Sequence, residues 1–251
     1  MRQILAILNQ KGGVGKTTST INIAAYLAKM GRSVLVIDMD PQGNATSGLG
    51  LPKNLDTTTY DILMNNVLLG QVVKDLSQTN IAIVPANADL AGAEVELVSQ
   101  PNREQKLKNA LSNASYDYIL IDCPPSLGLL SINALTAADA VIIPVQAEYY
   151  ALEGLTQLLS TIGMVKEGLN PSLSLLGVVV TMYDNRTSLS ENVYKELQKH
   201  FGQKLFNTVI PRNVRLAEAP SHGKTVHEHD KWSRGARAYK ALAKEIDKNV
   251  S

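Results

Sequence analysis

The 251-residue chain is 45% hydrophobic and 19% charged, with 24 Lys/Arg balanced by 23 Asp/Glu, which supports a large buried core and excludes a polyelectrolyte. Its single cysteine, Cys123, excludes an intrachain disulfide and an all-cysteine metal site built by one chain, and points to a reducing compartment. The apolar run before Asn9 is too short for a signal-peptide core and no stretch of roughly 18 apolar residues follows, so a cytoplasmic location is expected.

The first predicted strand, Gln3 to Leu8, runs into Gln10-Lys11-Gly12-Gly13-Val14-Gly15-Lys16-Thr17-Thr18. A helix is expected from Lys16 to Met30, stopped by Gly31 as a C′ glycine. A strand at Ser33 to Asp38 leads into Asp38-Met39-Asp40-Pro41-Gln42-Gly43-Asn44, a helix covers Thr58 to Leu69, and a strand covers Ile81 to Pro85. After a helix at Arg103 to Ala114, the strand Tyr118 to Asp122 enters Cys123-Pro124-Pro125-Ser126-Leu127-Gly128. The remainder alternates: helix Ser131 to Ala137, strand Ala140 to Pro144, helix Ala151 to Lys166, strand Leu175 to Thr181, helix Leu189 to Phe201, strand Lys204 to Ile210 and helix Arg234 to Asn249. With no repeat or dividing linker, residues 1–251 read as a single α/β domain of P-loop NTPase type. Its doubly wound, mostly parallel sheet carries helices on both faces.

The polar residues collect at the carboxyl ends of the strands, where such sheets bind ligands. Glycines let the loop backbone approach a polyphosphate, Lys16 can neutralise the β- and γ-phosphates, and the Thr17 hydroxyl can ligate Mg²⁺. Lys11, Gly12, Gly13, Val14, Gly15, Lys16, Thr17 and Thr18 are thus candidate nucleotide-binding residues. The loop departs from G-x-x-x-x-G-K-[ST]: position 10 is Gln10 where that pattern has Gly, and Lys11 is an extra cation at its mouth. Asp122 closes an apolar strand as a carboxylate held near a metal must. Asp40 is a candidate to orient or deprotonate the attacking water and Asp38 to hold a metal-bound water; an ordinary Asp-Pro turn with Gly43 at positive φ is the competing reading.

KGGVGKTT, DMDPQGN, and DCPPSLG followed by NALTAAD resemble the deviant Walker-A ATPases of the ParA/MinD group, and within it the ParA/Soj chromosome-partitioning proteins. The runs Pro144 to Gly154 (PVQAEYYALEG) and Ile210 to Lys224 (IPRNVRLAEAPSHGK) extend the resemblance over essentially the whole chain. It implies a slow Mg²⁺-dependent ATPase that closes as a nucleotide-sandwich homodimer. Lys11 of one protomer would reach the phosphates held by the other, with Gly12 where the partner backbone approaches. Lys11, Lys16 and Asp40 are the catalytic residues on this reading; Thr17, Asp38 and Asp122 serve the metal, the aspartates through water. It also implies that Pro211 and Asn213 contact adenine, in line with the absence of an N-K-x-D guanine-reading motif. The dimer would coat double-stranded DNA without sequence preference through Arg186 and Arg215, associate with the nucleoid, and be stimulated by a ParB-type partner.

Charge distribution suits an anionic partner: residues 186–248 carry 13 Lys/Arg against 7 Asp/Glu, and the remainder 11 against 16. Lys195, Lys199, Lys231, Arg234, Arg237, Lys240 and Lys244 can extend the basic surface. One Trp and two Phe are too few to stack single-stranded bases, which favours duplex. His227-Glu228-His229 is compact, but alternate positions on a strand or loop do not converge, so no zinc site is expected. A MinD-like membrane ATPase is the alternative, yet the apolar face of the C-terminal helix is mostly Ala with Leu242 and Ile246, suited to packing on the domain rather than to a bilayer. An iron protein would need a second cysteine, and a synthetase a second substrate pocket.

Overall fold

The computed structural model describes residues 2–76, 79–148 and 153–250. Among them, strands β1 (Gln3–Ile7), β2 (Val34–Asp38), β3 (Lys74–Asp75), β4 (Ile81–Val84), β5 (Tyr118–Asp122), β6 (Ala140–Gln146) and β7 (Ser174–Thr181) form one sheet in the order β3-β4-β2-β5-β1-β6-β7. Every pairing is parallel except β3 with β4. The connecting helices are α1 (Lys16–Lys29), α2 (Asn44–Gly48), α3 (Thr59–Met64), α4 (Leu69–Val72), α5 (Leu90–Glu96), α6 (Lys106–Ala110), α7 (Leu129–Ala137), α8 (Glu153–Gly168), α9 (Ser188–Phe201), α10 (Val214–Glu218), α11 (Val226–Asp230) and α12 (Arg234–Val250).

Strand residues alternate between two apolar layers because successive side chains leave opposite faces of a pleated strand. Leu5 and Ile7 of β1 join α1 (Ile21, Ile23, Leu27) and α12 (Tyr239, Leu242, Ile246) on one face. Ile4 and Ala6 join α7 (Leu130, Leu135) and α8 (Leu158, Ile162) on the other. The apolar stripe of α12 is buried against α1, so this face of the C-terminal helix is already covered. Among the described residues no helix is long and apolar enough to cross a membrane.

Parallel register aligns the strand ends that matter: Asp38 of β2 lies beside Asp122 of β5, and Ile7 of β1 lies on the other side of Asp122. The chain leaves β1 for β2 on one side and later crosses to β6 on the other, which opens a crevice at the carboxyl end of β1. The loops after β1, β2 and β5 therefore meet there.

The strands predicted from Gln3, Ser33, Ile81, Tyr118, Ala140 and Leu175 are present, with ends shifted by two residues at most. The predicted strand Lys204 to Ile210 is not a strand. Phe206 and Ile210 donate to Val178 and Val180 of β7, four residues apart on one side and two on the other, so the residues between must loop out. Glu245 of α12 takes the Asn207 and Thr208 amides (2.7 and 3.1 Å), which removes them from any ladder. The helix predicted over Thr58 to Leu69 breaks after Met64, where Asn66 adopts φ +52, and resumes as α4. That predicted over Arg103 to Ala114 shortens to α6 because Asn133 of α7 occupies the Arg103 carbonyl (2.7 Å) and the Leu107 amide (3.2 Å). The predicted start of the next helix at Ala151, with Tyr149, Tyr150 and Leu152 of the same run, lies outside the described residues. His227 and His229 stand on a helix, α11, rather than on a strand or loop.

Candidate nucleotide-binding site

Residues 9–15 join β1 to α1. Gly13 and Gly15 take φ +75 and +88, a region that side chains resist. Gly15 is the N-cap of α1 but supplies no side chain to its first turn, which contains no acidic residue either. The leading amides of α1 are thus left for an external acceptor at the positive end of the helix dipole, the arrangement that receives phosphate. Lys16 opens the helix only 7% exposed, and its Nζ donates to the Lys11 carbonyl at 3.0 Å. Burial pushes the Lys16 ammonium down from its ordinary pKa, while Asp122, Cys123 and Asp40 push it back up.

Thr17 Oγ1 donates to Asp122 Oδ2 (2.7 Å), and Thr20 Oγ1 donates to Asp122 Oδ1 (2.9 Å). Because Thr17 gives its one hydroxyl proton to Asp122, the oxygen's lone pairs remain available to a cation. Asp122 is fully buried; burial, then repulsion from Asp38, raises its pKa against those two hydrogen bonds. Burial raises the Asp38 carboxyl likewise, against donors from the Thr46 hydroxyl (2.7 Å), the Thr46 amide (2.8 Å) and the Asp40 amide (3.2 Å). Two adjacent buried carboxylates plus a hydroxyl form a hard oxygen donor set suited to Mg²⁺. Asp40 is 8% exposed and accepts from the Gln42 amide at 2.9 Å. The turn it begins is also a packing requirement: Gly43 has φ +59, and a Cβ there would lie 2.6 Å from the Ala86 carbonyl oxygen. The segment is therefore built as a turn, with Asp38 and Asp40 buried at its start.

Lys11, Gly12 and Gly13 are exposed at the loop mouth. The Lys11 ammonium pairs with Glu148, and among the described residues nothing beyond its chain neighbours lies within 4 Å of where a Gly12 Cβ would stand. Beside the loop, a cavity of about 330 Å³ opens between Gly15, Thr18, Met182, Pro211, Asn213 and Val214. Asn213 caps α10 by accepting from the Arg215 amide at 3.0 Å, and Met182 holds φ +51 at the end of β7. The apolar wall and the neighbouring Thr18 suit a purine ring whose phosphates lie on the loop.

The predicted DNA residues flank this cavity without meeting in one place. Arg186, 83% exposed, makes a two-point pair with Asp184 (2.9 and 2.7 Å). Arg215 pairs with Glu218 (2.8 Å) and Asp230 (3.5 Å). Arg186 instead shares a hollow of about 700 Å³ with Arg212, Arg234 and Arg237; Pro211 and Arg212 form the wall common to this hollow and the smaller cavity. Lys195 and Lys199 are paired with Glu191 and Glu196 (2.6 and 2.5 Å), and Lys231 lies over the Trp232 ring at 5.3 Å.

Several contributors escaped the sequence reading. Asn9 accepts from the Lys11 amide (3.0 Å) and donates to the Pro144 carbonyl (2.7 Å); Thr181 Oγ1 fixes the Val14 carbonyl (2.8 Å). Thr46 ties Asp38 to the Ala86 amide (2.9 Å), and the Tyr239 hydroxyl meets Ser19 at 3.0 Å under the loop. Only Thr20 carried a legible signal, being one turn after Thr17 on the same helix face.

A family model described as an AAA domain matches residues 2–175. The chain is 55% identical to the sporulation initiation inhibitor protein Soj of Bacillus subtilis (strain 168), over 99% of this chain and 100% of that protein. It is 54% identical to the chromosome-partitioning ATPase Soj of Thermus thermophilus, over 96% and 94%. Among solved structures, cobyrinic acid a,c-diamide synthase from Mycobacterium smegmatis with bound ATP analogue and magnesium superposes with a TM-score of 0.85, at 38% identity over 97% of this chain and 93% of that one. With a loop of this geometry and such identity along nearly its full length, the chain belongs to the ParA/Soj family of deviant Walker-A ATPases.

Proposed function

We propose that the 251 residues act as one partition-type ATPase domain. ATP and Mg²⁺ bind on the loop, two protomers close around the nucleotides, and the closed homodimer holds duplex DNA without sequence preference. A ParB-type partner and DNA stimulate a slow intrinsic turnover. The observation that carries the reading is the uncapped, glycine-flanked start of α1 with Lys16 at its head and Thr17 locked to Asp122.

The roles follow from position. Lys16 and the first amides of α1 bind the β- and γ-phosphates, the buried Val14 anchors the loop through its carbonyl, and Gly15 and Thr18 line the path to the base cavity, where Pro211 and Asn213 face adenine. Thr17 would hold Mg²⁺, with Asp38 and Asp122 holding its water; the ion supplies neutralisation of the charge shared by the phosphates. Asp40 orients the attacking water and receives its proton while the γ-phosphorus leaves the β-phosphate oxygen. Lys11 adds a cation to the partner's phosphates only when two chains close, which couples hydrolysis to dimerisation.

Arg186, with Arg212, Arg234 and Arg237 around the hollow and Arg215 nearby, supplies the cations for DNA phosphates, and closure doubles their number on one duplex. A nucleoid-associated cytoplasmic location follows from this reading. The membrane alternative is disfavoured because the apolar face of α12 is buried on α1. The test is DNA binding measured with no nucleotide, with ADP, with ATP and with a slowly hydrolysed analogue. Tight binding only with ATP or the analogue is expected; equal binding in all four conditions would refute it.

A further inference from the structure

Lys11 is engaged even in the single chain. Its ammonium is paired with the Glu148 carboxylate just beyond β6, with the two side chains 47% and 29% exposed. Its backbone is also tied down, the amide to Asn9 and the carbonyl to Lys16. Asn9 in turn donates to the Pro144 carbonyl on β6, so main chain and side chain of Lys11 are both referred to the same strand and its extension. Glu148 is the only acid in ion-pair contact with Lys11 among the described residues.

We propose that Glu148 is a positioning residue that keeps Lys11 on its own chain until closure and so sets the ATP concentration at which protomers pair, which rests on the reading that Lys11 serves the partner's phosphates. A lysine neutralised by its own carboxylate must exchange that partner for a polyphosphate, and the exchange is favourable only when the facing loop is loaded. Glu148 also brings a negative charge to the surface where two anionic nucleotides must approach, which raises the cost of closing further. A pair this exposed shifts the balance only modestly, by about two- to fivefold, so it tunes a threshold rather than forming a barrier.

The test is sedimentation of the full-length protein across a titration of Mg²⁺ and a slowly hydrolysed ATP analogue. Glu148→Gln is expected to dimerise at about two- to fivefold lower nucleotide than wild type, Glu148→Asp to keep the wild-type threshold, and high salt to erase the difference by screening the pair. Affinity of the monomer for ADP should be unchanged, because ADP binding does not require closure. Lys11→Ala and the double variant Lys11→Ala/Glu148→Gln should both stay monomeric. A Glu148→Gln protein needing as much analogue as wild type, or more, would overturn the role of Glu148 while leaving that of Lys11 intact. Normal dimerisation by Lys11→Ala would overturn both.

Discussion

The nucleotide loop and the basic face share a wall at Pro211 and Arg212, yet they are assembled on opposite terms. In the loop the cation Lys16 is buried and its ammonium is bonded to a main-chain carbonyl; Asp122 and Asp38 behind it are buried and held by two and three donors. On the basic face Arg186, Arg215, Lys195 and Lys199 are solvent-exposed and each is matched to a neighbouring acid. The first site is preorganised, so one residue commands a large share of its affinity. The second is a collection of screened charges, so on the proposed reading a DNA phosphate must displace the carboxylate already paired with each of these four, and affinity grows by addition.

The sharpest way to break this contrast is at its centre. Lys16→Ala removes the buried ammonium that we propose meets the phosphates, and should lower ATP affinity about 100-fold, read by calorimetry. A loss no larger than that from an exposed arginine would erase the distinction between the two regions.

Asp122→Asn is the next largest. The threonine hydroxyls can reorient to serve an amide, but the second carboxylate beside Asp38 is gone, so ATP affinity should lose most of its dependence on Mg²⁺, by roughly tenfold. The same variant carries a pH signature. Both carboxyl pKa values are raised on folding, chiefly by burial, with repulsion from Asp38 adding to Asp122 and repulsion from Asp40 adding to Asp38, so between the ordinary carboxylate range and those raised values the native state binds more protons than the unfolded chain. Stability of the nucleotide-free protein should therefore fall as pH rises through that window, and Asp122→Asn should flatten the fall; thermal melts across the pH range check both.

Much of the first region was legible in the sequence, because its parts are near neighbours: a strand, glycines, Lys16 and Thr17 within one run, and carboxylates at the ends of apolar strands. What could not be read was the support drawn from distant chain, such as Thr181 on the Val14 carbonyl or Tyr239 beneath α1. The fold was legible for the same reason, since buried parallel strands read as apolar runs, whereas Lys204 to Ile210 shows strand composition but gives two of its amides, those of Asn207 and Thr208, to Glu245. On the basic face, charge count was visible but pairing was not. Arg186 and Arg215 look equivalent as letters, while the structure sets Arg186 with Arg212, Arg234 and Arg237 around one hollow.

Substitutions on that face should have the smallest effects. Arg212→Ala should weaken DNA binding by a similar factor on every sequence and lower the salt slope by about one per contact, or about two in a symmetric dimer. Lys195→Ala, which frees Glu191 and removes a cation already neutralised, should change the slope less. A salt titration with hydrolysis blocked ranks the two, and the reverse order would show that internal pairing does not govern the face.

The link proposed between the regions is closure of two chains, and sedimentation of Lys11→Ala and Asp40→Ala with Mg²⁺ and ATP tests it most directly. On the proposed roles Asp40→Ala should form a stable dimer that hydrolyses poorly, since only water activation would be lost, and Lys11→Ala should bind ATP and remain a monomer. A dimeric Lys11→Ala protein, or an Asp40→Ala protein with normal turnover, would contradict the coupling of hydrolysis to closure.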